Sequence, residues 1–331
     1  MKIGLIGYLG FGNYGDELFI QTIERIIDNS EIICERVNIS IEIPFFTEER
    51  LKLFDAFIIV GGDIINPSTI SDLYWNELYL ITNKPIYIYN LGYPNWITKS
   101  NSVCDYYKKF FESSNVKRIH TRDEETEKFI KLNISNIVDI VTTPDTTISN
   151  FINDEKSKND EKILCLNLRN PYTFEYEYSN LINLIIQLKN KYKIKILVAG
   201  IGKIGSDDLK ECNKLNKILQ YNNIEGEIIV PESIDEITKF IKKCEIIITN
   251  KFHVFVVGSC LSVKTISISG NNKFINFAKS FNLTSKLIPI EDLNTQNIED
   301  DIKIDKNYLI YQSLKIKMMI KDDINLLWNK A

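Results

Sequence analysis

Residues 1–20 read MKIGLIGYLGFGNYGDELFI, and this stretch holds the rule by which the rest of the chain is built. An apolar run at Lys2–Gly7 is short and rich in branched side chains, as a buried strand is. A glycine-rich turn follows, Asp16 and Glu17 come next, and apolar residues then recur at helical spacing. Strand, glycine turn and helix in this order form the opening unit of a parallel sheet covered by helices.

The same order recurs along the chain. Strands are expected at Lys2–Gly7, Ile32–Asn38, Ala56–Val60, Pro85–Asn90, Val116–Thr121 and Val138–Val141, with helices at Asp16–Asn29, Thr47–Phe54, Leu73–Thr82, Ser102–Ser113 and Asp123–Leu132. The segment Asn153–Lys162 contains no apolar residue and cannot enter a core, so it reads as a linker. Beyond it strands are expected at Ile163–Leu168, Ile194–Ala199, Gly226–Val230, Ile246–Thr249 and Val263–Ser267. Helices alternate with them at Leu181–Lys191, Asp207–Tyr221, Ile234–Lys243, His253–Cys260 and Asn272–Phe281. The expected organisation is an N-terminal α/β domain over 1–152, a linker at 153–162 and a C-terminal α/β domain over 163–304. One or two closing helices over 305–331 are candidates to pack back on the first domain. The fold class is α/β, with two doubly wound, Rossmann-like parallel-sheet domains facing a cleft, so ligands are sought in the loops that follow strands.

Composition narrows the functions open to such a chain. Its 331 residues suffice for two cores, and its 40 basic and 44 acidic residues give a net charge of −4. They are scattered without a basic face, which argues against nucleic acid as a partner. Six cysteines without a C-x-x-C pair and only two histidines offer no metal-ligand spacing. They read as reduced thiols, and no metal is expected. The chain runs from Met1 straight into a strand without a basic leader, and no apolar run reaches about 20 residues. The expectation is a cytoplasmic protein with at most peripheral membrane contact.

Several loops after strands could carry chemistry. Residues 10–15 match the dinucleotide pattern G-x-G-x-x-G, but Asp16 and Glu17 would oppose a pyrophosphate at the helix start. Two readings stand side by side: the glycines allow the turn while Asp16 and Glu17 cap the helix, or the loop meets a ligand hydroxyl that a carboxylate orients or deprotonates. Gly200 to Gly205 repeats the spacing, with Ser206, Asp207 and Asp208 reading as helix-cap residues. Gly61-Gly62-Asp63 and Asn90-Leu91-Gly92 suit either a tight turn or close approach to a ligand. Thr121 and Glu124 have capping-box spacing, Arg122 is placed to salt-bridge, and Asp145 suits a turn or a site. The most informative segment is Ile248 to His253, where Lys251, His253 and a helix N-terminus meet at a strand's carboxyl end, an arrangement suited to phosphate or carboxylate. Arg169 and Lys273 could add charge there, whereas His120 reads as packing.

Taken in order, these motifs resemble the polysaccharide pyruvyl transferase family. Its Gly-x-Gly-Asn-x-Gly-Asp-Glu opening looks like Gly10 to Glu17, its glycine turn like Gly61-Gly62-Asp63, and its Arg-Asp-Glu-x-Ser/Thr like Arg122 to Thr126. Its Asp-Pro/Thr step looks like Asp145-Thr146, its Arg-Phe/Leu-His helix entry like Lys251-Phe252-His253, and its Asn-x-Lys like Asn271 to Lys273. The resemblance spans residues 3–285, with Lys251 where the family usually has arginine.

The resemblance implies a GT-B-like fold and transfer of a pyruvyl group from phosphoenolpyruvate to a sugar of a surface polysaccharide or glycan precursor, forming a ketal. Phosphoenolpyruvate is then a co-substrate and no cofactor is needed. His253 and Asp16 become the catalytic candidates. Lys251, Phe252, Arg169, Lys273 and Ser269 are the donor-binding candidates. Gly12, Asn13, Gly15, Glu17, Gly61, Gly62, Asp63, Arg122 and Asp145 are the acceptor-binding ones, for a sugar that could be lipid-linked. The alternatives are a GT-B glycosyltransferase using a nucleotide sugar and a non-catalytic sugar-phosphate binding protein. A dinucleotide enzyme is disfavoured by Asp16 and Glu17.

Overall fold

The computed structural model describes residues 1–28, 31–37, 48–69, 78–157, 159–169, 178–299 and 303–328. Residues 29, 38, 47 and 73–77, expected within helices or strands, lie outside these. In chain order the elements are β1 (Lys2–Ile6), α1 (Tyr14–Ile27), β2 (Ile33–Val37), α2 (Glu48–Leu51), β3 (Ala56–Val60), α3 (Leu78–Ile81), β4 (Ile86–Leu91), α4 (Asn101–Phe111), β5 (Val116–Thr121), α5 (Glu124–Asn133) and β6 (Ile140–Thr142). There follow β7 (Ile163–Asn167), α6 (Ser179–Leu188), β8 (Lys193–Leu197), α7 (Gly202–Tyr221), β9 (Gly226–Ile229), α8 (Ile234–Lys243), β10 (Ile246–Thr249), α9 (Phe252–Cys260), β11 (Lys264–Ser267), α10 (Asn272–Ser280), α11 (Thr295–Glu299) and α12 (Lys306–Trp328).

Two parallel sheets result. The first has six strands in the order β2-β1-β3-β4-β5-β6, the second five in the order β11-β10-β7-β8-β9. The order reverses direction between β1 and β3 in the first and between β7 and β10 in the second, and at such points the loops diverge and leave room for ligands. In the second sheet Thr249 lies level with both Asn167 and Ser267, so three strands end in register. Strands β3, β4 and β7 are buried along their whole length, which explains their unbroken apolar sequences.

The chain divides into two compact units: Met1–Gly10, Asp16–Ser149 and Tyr311–Ala331 form one, Phe11–Gly15 and Asn150–Ile310 the other. The core of the first includes Phe57, Ile59, Ile88, Phe110, Ile119 and Ile130. That of the second includes Leu166, Ile185, Ile196, Leu215, Ile248 and Ile266. The polar stretch read as a linker lies along the second unit, where Ser157 N–H donates to the Lys242 carbonyl at 2.9 Å and Lys242 pairs with Asp154 at 2.9 Å. All six cysteines are free thiols. Among the described residues no helix is long and apolar enough to cross a membrane.

Helix boundaries differ from the sequence reading at two informative places. Helix α7 starts at Gly202 and not at Asp207, because Gly202 with φ of +55° turns the chain directly into the helix. Asp208 therefore lies inside a helix and is 3% exposed, not at a cap. Helix α5 is capped by Asp123, which accepts from Thr126 N–H at 2.7 Å. The expected Thr121 cap is prevented because its hydroxyl is within the sheet, hydrogen-bonded to that of Thr142 at 2.7 Å.

The tail forms one helix, and its 18 residues from Tyr311 belong to the first unit. Asp323, 1% exposed at its side chain, accepts from Tyr89 Oη at 2.8 Å and pairs with Arg118 at 2.6 Å. Burial raises the Asp323 carboxyl above its ordinary range, against the opposing effects of Tyr89 and Arg118. Removing one member of a buried pair leaves the other uncompensated and typically costs about 3–5 kcal/mol. Asp323→Ala should therefore lower the stability of the first unit by about 3 kcal/mol, read by chemical denaturation, and Asp323→Asn by clearly less because an acceptor remains for Tyr89.

Candidate functional site

In the second unit the loops after β7, β8 and β10 are joined by side chains that replace lost sheet bonds. Asn167 Nδ2 donates to the Leu197 carbonyl at 2.8 Å, and Thr249 Oγ1 donates to Asn167 Oδ1 at 2.8 Å. Asn250 grips the backbone of Arg169 from both sides: its Oδ1 accepts from Arg169 N–H at 2.9 Å and its Nδ2 donates to the Arg169 carbonyl. Arg169 is thereby fixed at the strand-order reversal between β7 and β10.

Lys251 is the next residue. Its ammonium donates to the Ala199 carbonyl at 3.2 Å and pairs with Asp208. Burial lowers its pKa below the ordinary lysine value, Asp208 opposes that shift, and Arg169 adds to it. Lys251 is also the N-cap of α9, and its side chain makes no capping bond to the helix. An ammonium has no acceptor to offer first-turn N–H groups, so the cap leaves a positive helix end beside two cationic side chains. Every residue of α9 except His253 is buried. Phe252 packs edge-on against His253 with ring centroids 5.1 Å apart, and Lys273 Nζ lies 5.9 Å from the Phe252 ring centroid. Ser269 closes the turn after β11, its N–H donating to Ser267 Oγ at 3.1 Å.

The two glycine-rich sequences meet each other. Asn13 and Gly200 form an antiparallel bridge, and Ile201 N–H donates to the Gly12 carbonyl at 2.8 Å. Gly12 has φ of +80°, and a Cβ there would overlap the Ile201 carbonyl; at Gly15 a Cβ would overlap Nδ1 of His253. The first loop therefore serves as a backbone strap over the second and as a wall for the histidine. Asn13 Oδ1 accepts from Gly15 N–H at 3.0 Å. The start of α1 is thus held by Asn13, whereas one of the two sequence readings gave that role to Asp16 and Glu17. Tyr14 is buried and its hydroxyl meets Thr238 Oγ1 at 2.9 Å.

In the first unit Glu17 is turned inward. Its Oε1 accepts from Gly10 N–H at 2.6 Å and its Oε2 pairs with Arg36 at 3.2 Å. Asp16 is half-buried. Arg122 is buried, pairs with Asp63, and lies against Gly62 and Gly92, while Gly61 N–H donates to the Tyr89 carbonyl at 3.2 Å. Asp145 is buried as well: Oδ2 accepts from Asn90 Nδ2 at 3.2 Å and Oδ1 from Thr147 N–H at 3.0 Å. These bonds fix the turn after β6. Asn90 itself has φ of 62° at an irregularity of β4.

His120, read as packing, anchors this network. Its Nδ1 accepts from Asn90 N–H at 2.9 Å, so the ring proton sits on Nε2 and faces Thr143 Oγ1, whose hydroxyl donates to the Pro144 carbonyl at 3.1 Å. Burial pushes its pKa down to about 3, against the smaller opposing effect of Asp145.

The residues the sequence singled out thus fall into two sets. The second unit brings together Gly12, Asn13, Gly15, Arg169, Lys251, Phe252 and His253, with Lys273 against Phe252 and Ser269 in the adjoining turn. The first unit gathers Gly61, Gly62, Asp63 and Arg122, with Asp145 in the neighbouring buried network. Sequence reasoning missed the role of Asp208. Its only signal is an aspartate one turn and more into an amphipathic helix on the buried side.

Two parallel sheets of this kind, each with a strand-order reversal, define a GT-B-like α/β protein of the Rossmann type. Its architecture is shared with S. aureus MnaA in a co-structure with UDP (TM-score 0.61, 13% identity, 99% of this chain and 97% of that one covered). It is shared also with UDP-GlcNAc 2-epimerase from Neisseria meningitidis bound to UDP-GlcNAc (0.57, 12%, 98% and 100%) and with sucrose-phosphate synthase from Thermosynechococcus elongatus (0.59, 8%, 100% and 100%). At such identities the likeness is one of fold. The chain belongs to the polysaccharide pyruvyl transferase family, whose model matches residues 13–272. No curated protein is detectably similar to it in sequence.

The His120 network makes a pH prediction. Folded, His120 stays neutral down to about pH 3, whereas in the unfolded chain it takes up a proton near pH 6.5. The unfolded state then binds more protons between these values, so this contribution to stability is complete above pH 6.5 and is lost as pH falls toward 3. Denaturation free energies measured across that window should fall by up to about 1.4 kcal/mol per pH unit more steeply for the native sequence than for His120→Gln.

Proposed function

We propose that the chain transfers the pyruvyl group of phosphoenolpyruvate to a sugar hydroxyl pair, and that the second unit holds the donor. The observation that carries this reading is the convergence of Lys251, Arg169 and the N-terminus of α9 at the strand-order reversal between β7 and β10. A phosphorylated carboxylate needs such cationic and N–H hosts, and membership of the family supplies the reaction class.

In the proposed reaction the donor's methylene carbon takes a proton, and a sugar hydroxyl attacks the resulting oxocarbenium-like C2. The C2–O bond to phosphate breaks with its electron pair on phosphate, and the neighbouring hydroxyl adds to C2 to close the ketal. One hydroxyl proton balances the new methyl group and the other the released phosphate. His253, walled by Gly15 and Phe252, is assigned the proton or the phosphate. Asp16, the residue after Gly15 in the chain, is assigned the acceptor hydroxyl. The acceptor is a sugar of a surface polysaccharide or its precursor.

Phosphoenolpyruvate, a UDP-sugar and NAD should be compared by thermal stabilisation, since a ligand selective for the folded state raises its melting temperature. The expected result is a shift with phosphoenolpyruvate that Lys251→Gln removes; a shift with the UDP-sugar alone would replace this reading by glycosyl transfer. His253→Ala should lower turnover at least about 100-fold, the lower end of general acid–base contributions, and retention of most turnover would remove His253 from the mechanism.

A further inference from the structure

A buried ion pair that serves only stability has its charges fully hydrogen-bonded, because a half-satisfied carboxylate in a dry interior is costly. The Lys251–Asp208 pair does not fit that description. Asp208 is 3% exposed, one oxygen holds the Lys251 ammonium, and the other, Oδ1, is buried with no hydrogen-bond partner among the described residues. Lys251 keeps 18% of its side chain open. Of its three donors, one is directed at Asp208 and one at the Ala199 carbonyl. Asp208 stands on the long helix α7, on the side that faces the core with Cys212 and Leu215, so it cannot swing away as a loop residue could.

An anion arriving at Lys251 therefore competes with a carboxylate already in place. We infer that Asp208 is a built-in competitor for phosphoryl anions: it holds the Lys251 ammonium when no anion is bound and takes it back when phosphate departs. This rests on the donor-site reading above. The physical benefit lies in release. Donor and leaving phosphate present the same kind of anion to the same host, and an uncompensated lysine beside Arg169 and a helix N-terminus would retain the product. A fixed carboxylate subtracts from the affinity for both, and it allows turnover to continue at product concentrations that would otherwise block the site. Asp208 touches neither reacting carbon in this account, so it is a positioning residue that acts through Lys251.

The test compares native protein with Asp208→Asn, which keeps an acceptor oxygen for Lys251 and removes the charge, and with Asp208→Glu, which keeps the charge. Binding of inorganic phosphate and of phosphoenolpyruvate is measured by calorimetry, with phosphate inhibition of turnover in parallel. Asp208→Asn should bind inorganic phosphate at least tenfold more tightly, with a lower KM for phosphoenolpyruvate and stronger phosphate inhibition, and Asp208→Glu should return these values toward native ones. Near-ultraviolet circular dichroism checks that each protein is folded, and Asp208→Ser, which also retains an oxygen, stands in if Asp208→Asn is not. Unchanged or weaker phosphate binding by a folded, uncharged variant would overturn the inference while leaving the donor site intact. If native protein binds neither phosphoenolpyruvate nor phosphate, the donor-site reading fails and takes the inference with it.

Discussion

A strand that leaves a parallel sheet strips the hydrogen-bond partners from its last residues, and these residues are buried. Two clusters of buried polar side chains in this protein answer that constraint. In the second unit Asn167, Thr249 and Asn250 supply the missing donors and acceptors where β7 and β10 separate. In the first unit Asn90, His120, Thr143 and Asp145 do so where β4, β5 and β6 end. Unsatisfied backbone groups at these positions would cost about 1–3 kcal/mol each. The loops are consequently rigid at their roots, and Arg169 and Lys251 project from fixed points.

The two glycine-rich sequences illustrate how one local pattern serves more than one physical need. Both match a phosphate-binding spacing and both follow strands. Two of their glycines meet protein closely: Gly12 lets the chain pass over Ile201, and Gly15 lets it pass His253. Close backbone approach is the common physical need, and a sequence does not say whether the approaching group is a ligand or another loop.

Charge placement around Lys251 follows a similar logic. By the sequence resemblance alone, Lys251 stands where arginine is expected and reads as a weaker host for a carboxylate or phosphate. In the fold its ammonium is shared with Asp208 and the Ala199 carbonyl, a compact geometry that a planar guanidinium would meet differently. The carboxylate that faces Lys251 comes from a helical residue 43 positions earlier in the chain.

The sequence by itself determined the architecture: the eleven strands among the described residues were legible, because buried parallel strands are short apolar runs and the helices between them carry one apolar face. It also determined the family, because the order and spacing of several short motifs survive where no single one is decisive. Element ends were less legible, since glycine at 202 could begin a helix or precede one. Only the tertiary structure decided that Asp145 and Glu17 face inward, that His120 is a hydrogen-bonding hub, and that Asp208 meets Lys251. Those facts depend on contacts between residues far apart in the chain, and local propensity carries no information about which distant group will fill a buried polar side chain's remaining hydrogen bonds.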